Sequence, residues 1–197
     1  LMIIVISVII ERFITLRVAN GKGSIPAFVR KVKNLLDGNN VEAAIGECDK
    51  QKGSVANVIR EGLVKYKEME KTSGLDKDQK VLAISKEIEE STSLELPMLE
   101  KNLVILATIS SIATLMGLLG TVFGMIRAFS AIATAGAPDA VALSTGISEA
   151  LINTALGIST SAIAIIAYNY FTTKIDGLTY GIDEAGFTIA QNFAAKH

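Results

Sequence analysis

Two long apolar stretches dominate the second half of the chain. Residues 103–126 and 150–171 contain no charged side chain. As helices they would be about 36 and 33 Å long, and the hydrocarbon core of a bilayer is about 30 Å thick. The segment "TAGAPDA" at 134–140 is the only nearby segment with residues that favour a turn. The pattern therefore predicts two membrane-spanning helices joined by a short loop.

The first ten residues, "LMIIVISVII", are uniformly apolar. Ten helical residues are too few to cross a bilayer. We interpret them as the inner half of a first span that is completed upstream, with Glu11 and Arg12 marking its exit and Phe13 and Leu16 at the interface.

Residues 17–101 show apolar positions at helical spacing between charged faces, which predicts soluble helices. We expect a turn at 36–40, Ser54 as the N-cap of the third helix, and a fourth helix from about Asp76 through Ile84 and Ile88 to Leu94. Pro97 predicts a kink or a fresh start where this region meets the apolar block. The stripes that define the first three helices are Ile25, Phe28, Val29 and Val32; Val41, Ala44, Ile45 and Cys48; and Val55, Val58, Ile59, Leu63 and Tyr66.

Apolar residues continue at steps of three and four beyond Lys174. We therefore expect the last span to extend as an amphipathic helix whose stripe packs on this chain or on a neighbouring copy. The stripe consists of Ile175, Leu178, Ile182, Ala185, Ile189 and Phe193.

The distribution of charge sets the expected topology. The 20 acidic and 19 basic side chains nearly cancel, but 15 of the basic ones lie between Arg17 and Lys101. The 134–143 loop carries no Lys or Arg, so the positive-inside rule places the polar block and the C-terminus in the cytoplasm. The predicted fold is an all-α integral membrane protein with three transmembrane helices, the first truncated here, and long helices that extend into a cytoplasmic helical domain. The predicted segments are 1–16 (end of the first span), 17–101 (cytoplasmic domain), 102–133 (second span), 134–143 (periplasmic loop), 144–173 (third span) and 174–197 (cytoplasmic extension).

Catalytic and metal-binding chemistry is poorly represented. The single cysteine, Cys48, excludes an internal disulfide or a cysteine-based metal cluster within one chain, and its helix-core spacing predicts a buried thiol. The single histidine, His197, is the last residue and is expected to be a solvated tail. We therefore expect no enzyme active site, no metal site and no cofactor, and the near-zero net charge gives no reason to expect a nucleic-acid partner.

Small residues recur along one face of each predicted span. Gly120 and Gly124 form a G-x-x-x-G, a spacing that lets helix backbones approach closely in a membrane. Gly117, Thr121 and Ala128 extend that face. The last span has a similar face of small residues. Its small face consists of Gly146, Ala150, Asn153 and Gly157. We expect Gly117, Gly120, Gly124 and Gly157 to serve helix packing.

Glu149 is the most informative polar residue, because an ionisable side chain in a membrane helix marks an ion pathway or a buried pair. The alternative is that Glu149 reaches water or pairs with Arg127. Thr121, Asn153 and Thr154 add polar groups suited to a narrow polar path, although hydroxyls do not titrate near neutral pH. If this chain conducts protons, we expect another polypeptide to supply a second titratable group.

Three motifs, "GLLGTVFGMIRAF", "GISEALINTALGI" and "AYN", together resemble the ExbB/TolQ/MotA proton-channel family, most closely its ExbB-type members. They occur in order across residues 103–171, with looser similarity at "IIERF" and "GNNVEAAIGECD". The sequence departs from the common family pattern at Phe123, where tryptophan is frequent, and at Asn153, where alanine is frequent. The substitution at Asn153 could change the polarity of a pore wall.

The resemblance implies a homopentamer in the bacterial inner membrane, with its N-terminus periplasmic and the second and third spans lining a pore. An ExbD-like single-span partner would occupy the pore and supply the essential aspartate. Thr121 and Thr154 then correspond to pore-facing threonines and Glu149 to the intramembrane glutamate, on the path of a translocated proton. The proton motive force would drive cycling of the complex and, through a TonB-like protein, energise TonB-dependent outer-membrane transport.

Two other functions stay open. A TolQ-like or another MotA-family stator subunit would share the same motifs. A non-conducting scaffold would use the glycines alone, so that Gly124→Leu would be damaging while Glu149 and Thr154 would be dispensable.

Overall fold

The structure, a computed structural model, describes residues 1–135 and 140–196, and its regular elements there are all helical. The helices are α1 (Met2–Ala19), α2 (Ile25–Asp37), α3 (Val41–Gln51), α4 (Ser54–Lys71), α5 (Lys77–Glu100), α6 (Leu103–Ala135) and α7 (Ala140–Lys196). The all-α prediction is confirmed.

The chain divides into two compact units. The apolar unit comprises Leu1–Arg12 and Asn102–Phe171, and the polar unit comprises Phe13–Lys101 and Thr172–His197. Within the described residues, two helical stretches are long and apolar enough to cross a membrane, Lys77–Ser130 and Ala140–Lys196. The first combines α5 with most of α6, and its charge-free part is α6.

The predicted membrane exit at Glu11 and Arg12 lies inside helix α1 and is not a helix end. The helix continues through both residues to Ala19. Arg12 is buried, and its Nε donates a hydrogen bond to Glu11 Oε2 at 2.7 Å. Asn102 Nδ2 donates to the same oxygen at 3.3 Å. The carboxylate of Glu11 thus neutralises the buried guanidinium within the helix.

The polar unit has a core of large side chains. The predicted stripes of α2 and α4 are buried, and Cys48 is buried on α3, as predicted. The rings of Tyr66 and Phe193 pack edge to face with centroids 4.8 Å apart. Burial raises the pKa of Tyr66 to about 12, and the phenol donates a hydrogen bond to Asn192 Oδ1 at 3.1 Å. This buried hydroxyl is therefore satisfied.

The apolar stripe of α7 beyond Lys174 is buried within the same chain, which settles where that amphipathic face packs. Gly181 lies over Ile25, where an added Cβ would be 2.7 Å from Ile25 Cγ2. At its end, Lys196 Nζ donates to the carbonyl oxygen of Leu36 and, at 3.3 Å, to Asn39 Oδ1. A lysine thus satisfies a backbone acceptor in the last turn of α2.

Two predicted helix boundaries in the polar unit are wrong. The N-cap of α4 is Gly53, and Ser54 is buried as the first helical residue without a capping bond. Gly53 has φ +87°, a conformation that favours glycine, so the turn precedes the serine. The fourth helix extends beyond Leu94 to Glu100, and Asp76 forms a capping box with Gln79.

Pro97 does not begin a new helix, which was one of its two predicted effects. It lies inside α5, which runs on to Glu100. The break falls at Asn102, which has φ +66°. Asparagine adopts this left-handed conformation more readily than most residues, which favours a break at this position. Pro97 removes only one backbone hydrogen-bond donor, and the helix continues past it.

The predicted 134–143 loop overlaps the ends of two helices. Helix α6 runs to Ala135 and α7 begins at Ala140, so both helices enter the predicted loop. Residues 136–139, which include Asp139, and His197 lie outside the described residues.

Candidate functional site

The central feature of the apolar unit is a seam where α6 and α7 pack in antiparallel directions. A Cβ added to Gly157 would lie 2.7 Å from Gly117 Cα and 2.7 Å from the carbonyl oxygen of Ala113. Such distances exclude a side chain at Gly157, so the two backbones are in contact. Small residues at helix interfaces allow this approach in membranes.

The seam continues towards the connection between α6 and α7 with a second pair of close approaches. A Cβ on Gly124 would lie 2.7 Å from Ala150 Cβ, and one on Gly146 would lie 2.7 Å from Ala128 Cβ. Each glycine thus faces an alanine of the opposite helix. The two small faces identified in the sequence are therefore the faces that meet.

The hydroxyls of Thr121 and Thr154 meet between these two sets of contacts. They are within hydrogen-bonding reach of each other across the seam. Thr121 Oγ1 also lies 3.4 Å from the Ala150 carbonyl oxygen, and both hydroxyls lie 3.3 Å from the carbonyl oxygen of Gly117. A hydroxyl can donate one hydrogen bond and accept another, so the two hydroxyls can connect hydrogen-bonding groups of one helix to those of the other.

Asn153 packs directly on Gly120. An added Cβ at Gly120 would lie 2.7 Å from Asn153 Cβ and 3.1 Å from its Nδ2. The Asn153 side chain is otherwise exposed and lies next to Thr154. The glycine thus makes room for an amide at the position where the sequence departs from the common family pattern.

Glu149 and Arg127 are paired across the same seam. Arg127 Nη1 donates to Glu149 Oε2 at 3.4 Å. The structure therefore places Glu149 beside Arg127, the partner named in the sequence analysis as the alternative to an ion-pathway role. Thr121, Thr154, Glu149 and Asn153 all lie along one helix pair.

Ser110 is a residue of the seam that sequence reasoning did not single out. Ser161 Oγ donates to the Ser110 carbonyl oxygen, and Ser110 Oγ donates to Ala107 O at 2.7 Å. Ser110 lies eleven residues, or about three turns, before Thr121, so it shares that face of α6. This helical spacing is the sequence signal that could have identified Ser110.

The seam is built for close helix contact and hydrogen bonding. In the described part of the chain, no three His, Cys, Asp or Glu side chains form a group that could hold a metal ion. A hydroxyl pair and an ion pair thus lie between close-packed apolar helices, and polar and ionisable groups inside such helices are typical of membrane proteins that move ions.

Comparison with known proteins gives the family. Residues 50–184 match the MotA/TolQ/ExbB proton channel family, so the chain belongs to that family. This is a transport family, and its members are membrane proteins rather than enzymes.

Curated relatives carry two names. The chain is 29% identical over 157 residues to the Tol-Pal system protein TolQ of Pseudomonas aeruginosa, covering 80% of this chain and 68% of the relative. It is 38% identical over 81 residues to the biopolymer transport protein ExbB of Pseudomonas putida, covering 41% of this chain and 25% of the relative. It is 43% identical over 81 residues to ExbB of Helicobacter pylori, covering 41% of this chain and 56% of the relative. The matched part thus spans less than two thirds of both ExbB relatives.

Proposed function

We propose that this chain is the proton-channel subunit of an ExbB–ExbD type complex that uses the proton motive force to energise TonB-dependent outer-membrane transport. The observation that carries the proposal is the contact between the Thr121 and Thr154 hydroxyls. Proton transfer needs groups that exchange hydrogen bonds, and here they bridge two apolar helices that leave no space for other side chains.

In this proposal Thr121, Glu149 and Thr154 form the ion pathway. The glycines Gly117, Gly120, Gly124 and Gly157 bring the helices close enough for the hydroxyls to meet, and Asn153 adds polarity beside them. Threonine hydroxyls relay hydrogen bonds without titrating near neutral pH. A carboxylate from a partner therefore completes the path, with the proton as the translocated ion and no bound cofactor.

The proposed topology has three membrane spans in the bacterial inner membrane. The first is formed by α1 together with upstream residues, the second by α6 and the third by the first part of α7. The N-terminus is periplasmic, and the polar unit and C-terminus are cytoplasmic. The charge asymmetry supports this orientation, because 15 of the 19 basic residues lie in the 17–101 segment.

The proposed assembly is a homopentamer around an ExbD-like single-span protein that supplies the essential aspartate. A TonB-like protein transmits the energy to the outer membrane, and membrane lipid surrounds the assembly. The outward-facing apolar side chains of the apolar unit support contact with lipid and other helices. Phe123 and Phe129 are 55% and 60% exposed, and large exposed apolar surfaces mark such contacts.

A TolQ-type subunit of a Tol–Pal system is the second candidate. The observation that favours it is the extent of the TolQ match, which covers 80% of this chain, whereas the ExbB matches cover 41%. Complementation separates the two candidates. An ExbB-type subunit restores TonB-dependent uptake in a strain lacking its own ExbB and TolQ, and a TolQ-type subunit restores outer-membrane integrity.

The channel function is tested by proton flux into vesicles that contain the full chain with a single-span partner. Thr154→Val keeps the shape of the side chain but removes the hydroxyl, so we expect flux to fall about 100-fold, in the range that loss of a proton-transfer group produces. Thr121→Val should act in the same direction. A pH-sensitive dye inside the vesicles reports the flux.

Each variant has a matched control in its own helix. Thr145 on α7 and Thr108 on α6 are exposed and bond to carbonyl oxygens of their own helix, Val141 at 2.9 Å and Val104 at 2.8 Å. Thr145→Val and Thr108→Val should conduct like wild type. Normal flux through Thr154→Val and Thr121→Val would show that the hydroxyl pair is a packing contact and would reject the proposed pathway.

A further inference from the structure

The Arg127–Glu149 pair has a role that the hydroxyl pathway does not explain. Between residues 102 and 173, these two are the charged side chains that the structure describes. A guanidinium in an apolar helix pair is costly unless it is paired or reaches water. A proton route needs the carboxylate, but nothing in that route requires an arginine beside it.

Close backbone contacts fix the position of the pair. Arg127 immediately precedes Ala128, and Glu149 immediately precedes Ala150. Both alanines are buried in the seam, where Ala128 faces Gly146 and Ala150 faces Gly124. Since the neighbouring backbones cannot separate without breaking these contacts, the two charged side chains are held at one level of the seam.

The pair itself is open to exchange. Its single hydrogen bond is 3.4 Å long, and the side chains of Arg127 and Glu149 are 75% and 52% exposed. Such a long bond, made by one nitrogen to one oxygen, is weaker than the short two-pronged pairs that arginine forms with carboxylates. A stabilising contact would be shorter, two-pronged or buried, so its geometry points away from a packing role.

The pair also lies beside the hydroxyls. Glu149 is five residues before Thr154 on α7, and Arg127 is six residues after Thr121 on α6. These separations correspond to about 8 to 9 Å along the helices. An ion that reaches the hydroxyls along the seam from this side passes the charge pair first.

We propose that Arg127 is a positioning residue for Glu149, an exchangeable counter-ion that holds the carboxylate at the seam until an incoming cation takes its place. This inference rests on the proposed channel function. It predicts that the positive charge at position 127, rather than the shape of its side chain, governs how well Glu149 serves conduction. Without that charge, a half-exposed carboxylate samples rotamers directed away from the seam.

The test measures proton flux into vesicles containing the full chain with its single-span partner, read with an internal pH-sensitive dye. Arg127→Gln should lower the flux about fivefold, as expected for loss of one charge-assisted hydrogen bond at an exposed site. Arg127→Lys should recover most of the flux because it retains the charge. Arg30→Gln, which removes an exposed charge from α2, is the control and should conduct like wild type.

A charge exchange separates positioning from packing. Arg127→Glu combined with Glu149→Arg restores an ion pair but moves the carboxylate to α6, so flux should stay low while the oligomer size is unchanged. Recovery of flux in this double variant would overturn the proposal, as would equal losses in Arg127→Gln and Arg127→Lys. Loss of assembly in Arg127→Gln that the double variant repairs would identify a packing contact and would also overturn it.

Glu149→Gln makes failure of this inference distinguishable from failure of the channel function. If Glu149→Gln abolishes flux while Arg127→Gln conducts like wild type, the inference about Arg127 is wrong and the pathway stands. If Glu149→Gln conducts normally, the proposed role of Glu149 in the channel is wrong.

Discussion

The two units of this chain achieve close packing in opposite ways. In the polar unit, large side chains such as Phe193 and Tyr66 are buried against one another. In the apolar unit, the contact between α6 and α7 is made by glycine and alanine, while large side chains such as Phe123 and Ile152 point outward. Burial of apolar surface drives packing in water, but among lipid tails it gives no comparable advantage, so close backbone contact and hydrogen bonds take over.

The largest effect should come from emptying the core of the polar unit. Phe193 is fully buried, so Phe193→Ala should destabilise the protein by about 3 to 5 kcal/mol through lost burial and the cavity left behind. Thermal unfolding of the full chain, followed by circular dichroism, measures the change. Phe187→Ala makes the same substitution six residues earlier on α7, where the ring is 69% exposed, and should shift stability by less than about 0.5 kcal/mol. Equal shifts in both variants would contradict the core assignment.

The next effect should come from adding one methyl group to the glycine seam. In Gly157→Ala the new Cβ would lie 2.7 Å from backbone atoms of Gly117 and Ala113, so the helices must separate, at a cost of about 1 to 3 kcal/mol. Midpoints of thermal aggregation in detergent report the change. At Gly177 on the same helix nothing lies within 4 Å of an added Cβ, so Gly177→Ala should be neutral or stabilising. A stabilising Gly157→Ala would show that the close backbone approach does not exist in solution.

The smallest effect should come from the serine bond at the other end of the seam. Ser161→Ala removes the hydroxyl that donates to the Ser110 carbonyl oxygen and should cost about 1 kcal/mol. The same detergent assay applies. Ser159 is exposed two residues earlier, so Ser159→Ala should leave the midpoint unchanged. Equal effects of the two substitutions would place Ser161 outside the seam.

The same comparison explains what could be predicted from the sequence. Apolar periodicity defines a core of large side chains, so the buried stripes of α2, α4 and the end of α7 were predictable. The spacing of small residues likewise indicated which faces of α6 and α7 meet. Glu149 was a candidate from the sequence alone, because an ionisable residue in an apolar helix is costly. The pore-facing role of Thr121 and Thr154 relied on the family resemblance, because hydroxyls that bond to their own helix have the same local sequence pattern as hydroxyls that bridge helices.

What could not be predicted depends on details of backbone geometry. The break at Asn102 instead of Pro97 reflects a left-handed residue, and the cap at Gly53 instead of Ser54 reflects a positive φ. Neither has a periodic signature. The bond from Ser161 to the Ser110 carbonyl oxygen joins residues 51 apart, and no local pattern reports such a pairing.

The buried Arg12 has a consequence for biosynthesis. Its carboxylate partner, Glu11, is the preceding residue and leaves the ribosome with it, whereas Asn102, which donates to the same carboxylate, is 91 residues further along. At typical synthesis rates of about 5 to 20 residues per second, that amide follows roughly 5 to 18 seconds later. Arg12 is thus neutralised from the moment α1 is made. The Asn102 amide is synthesised only as α6 begins to form. The cluster is therefore completed after α1, in the order in which the two helices are made.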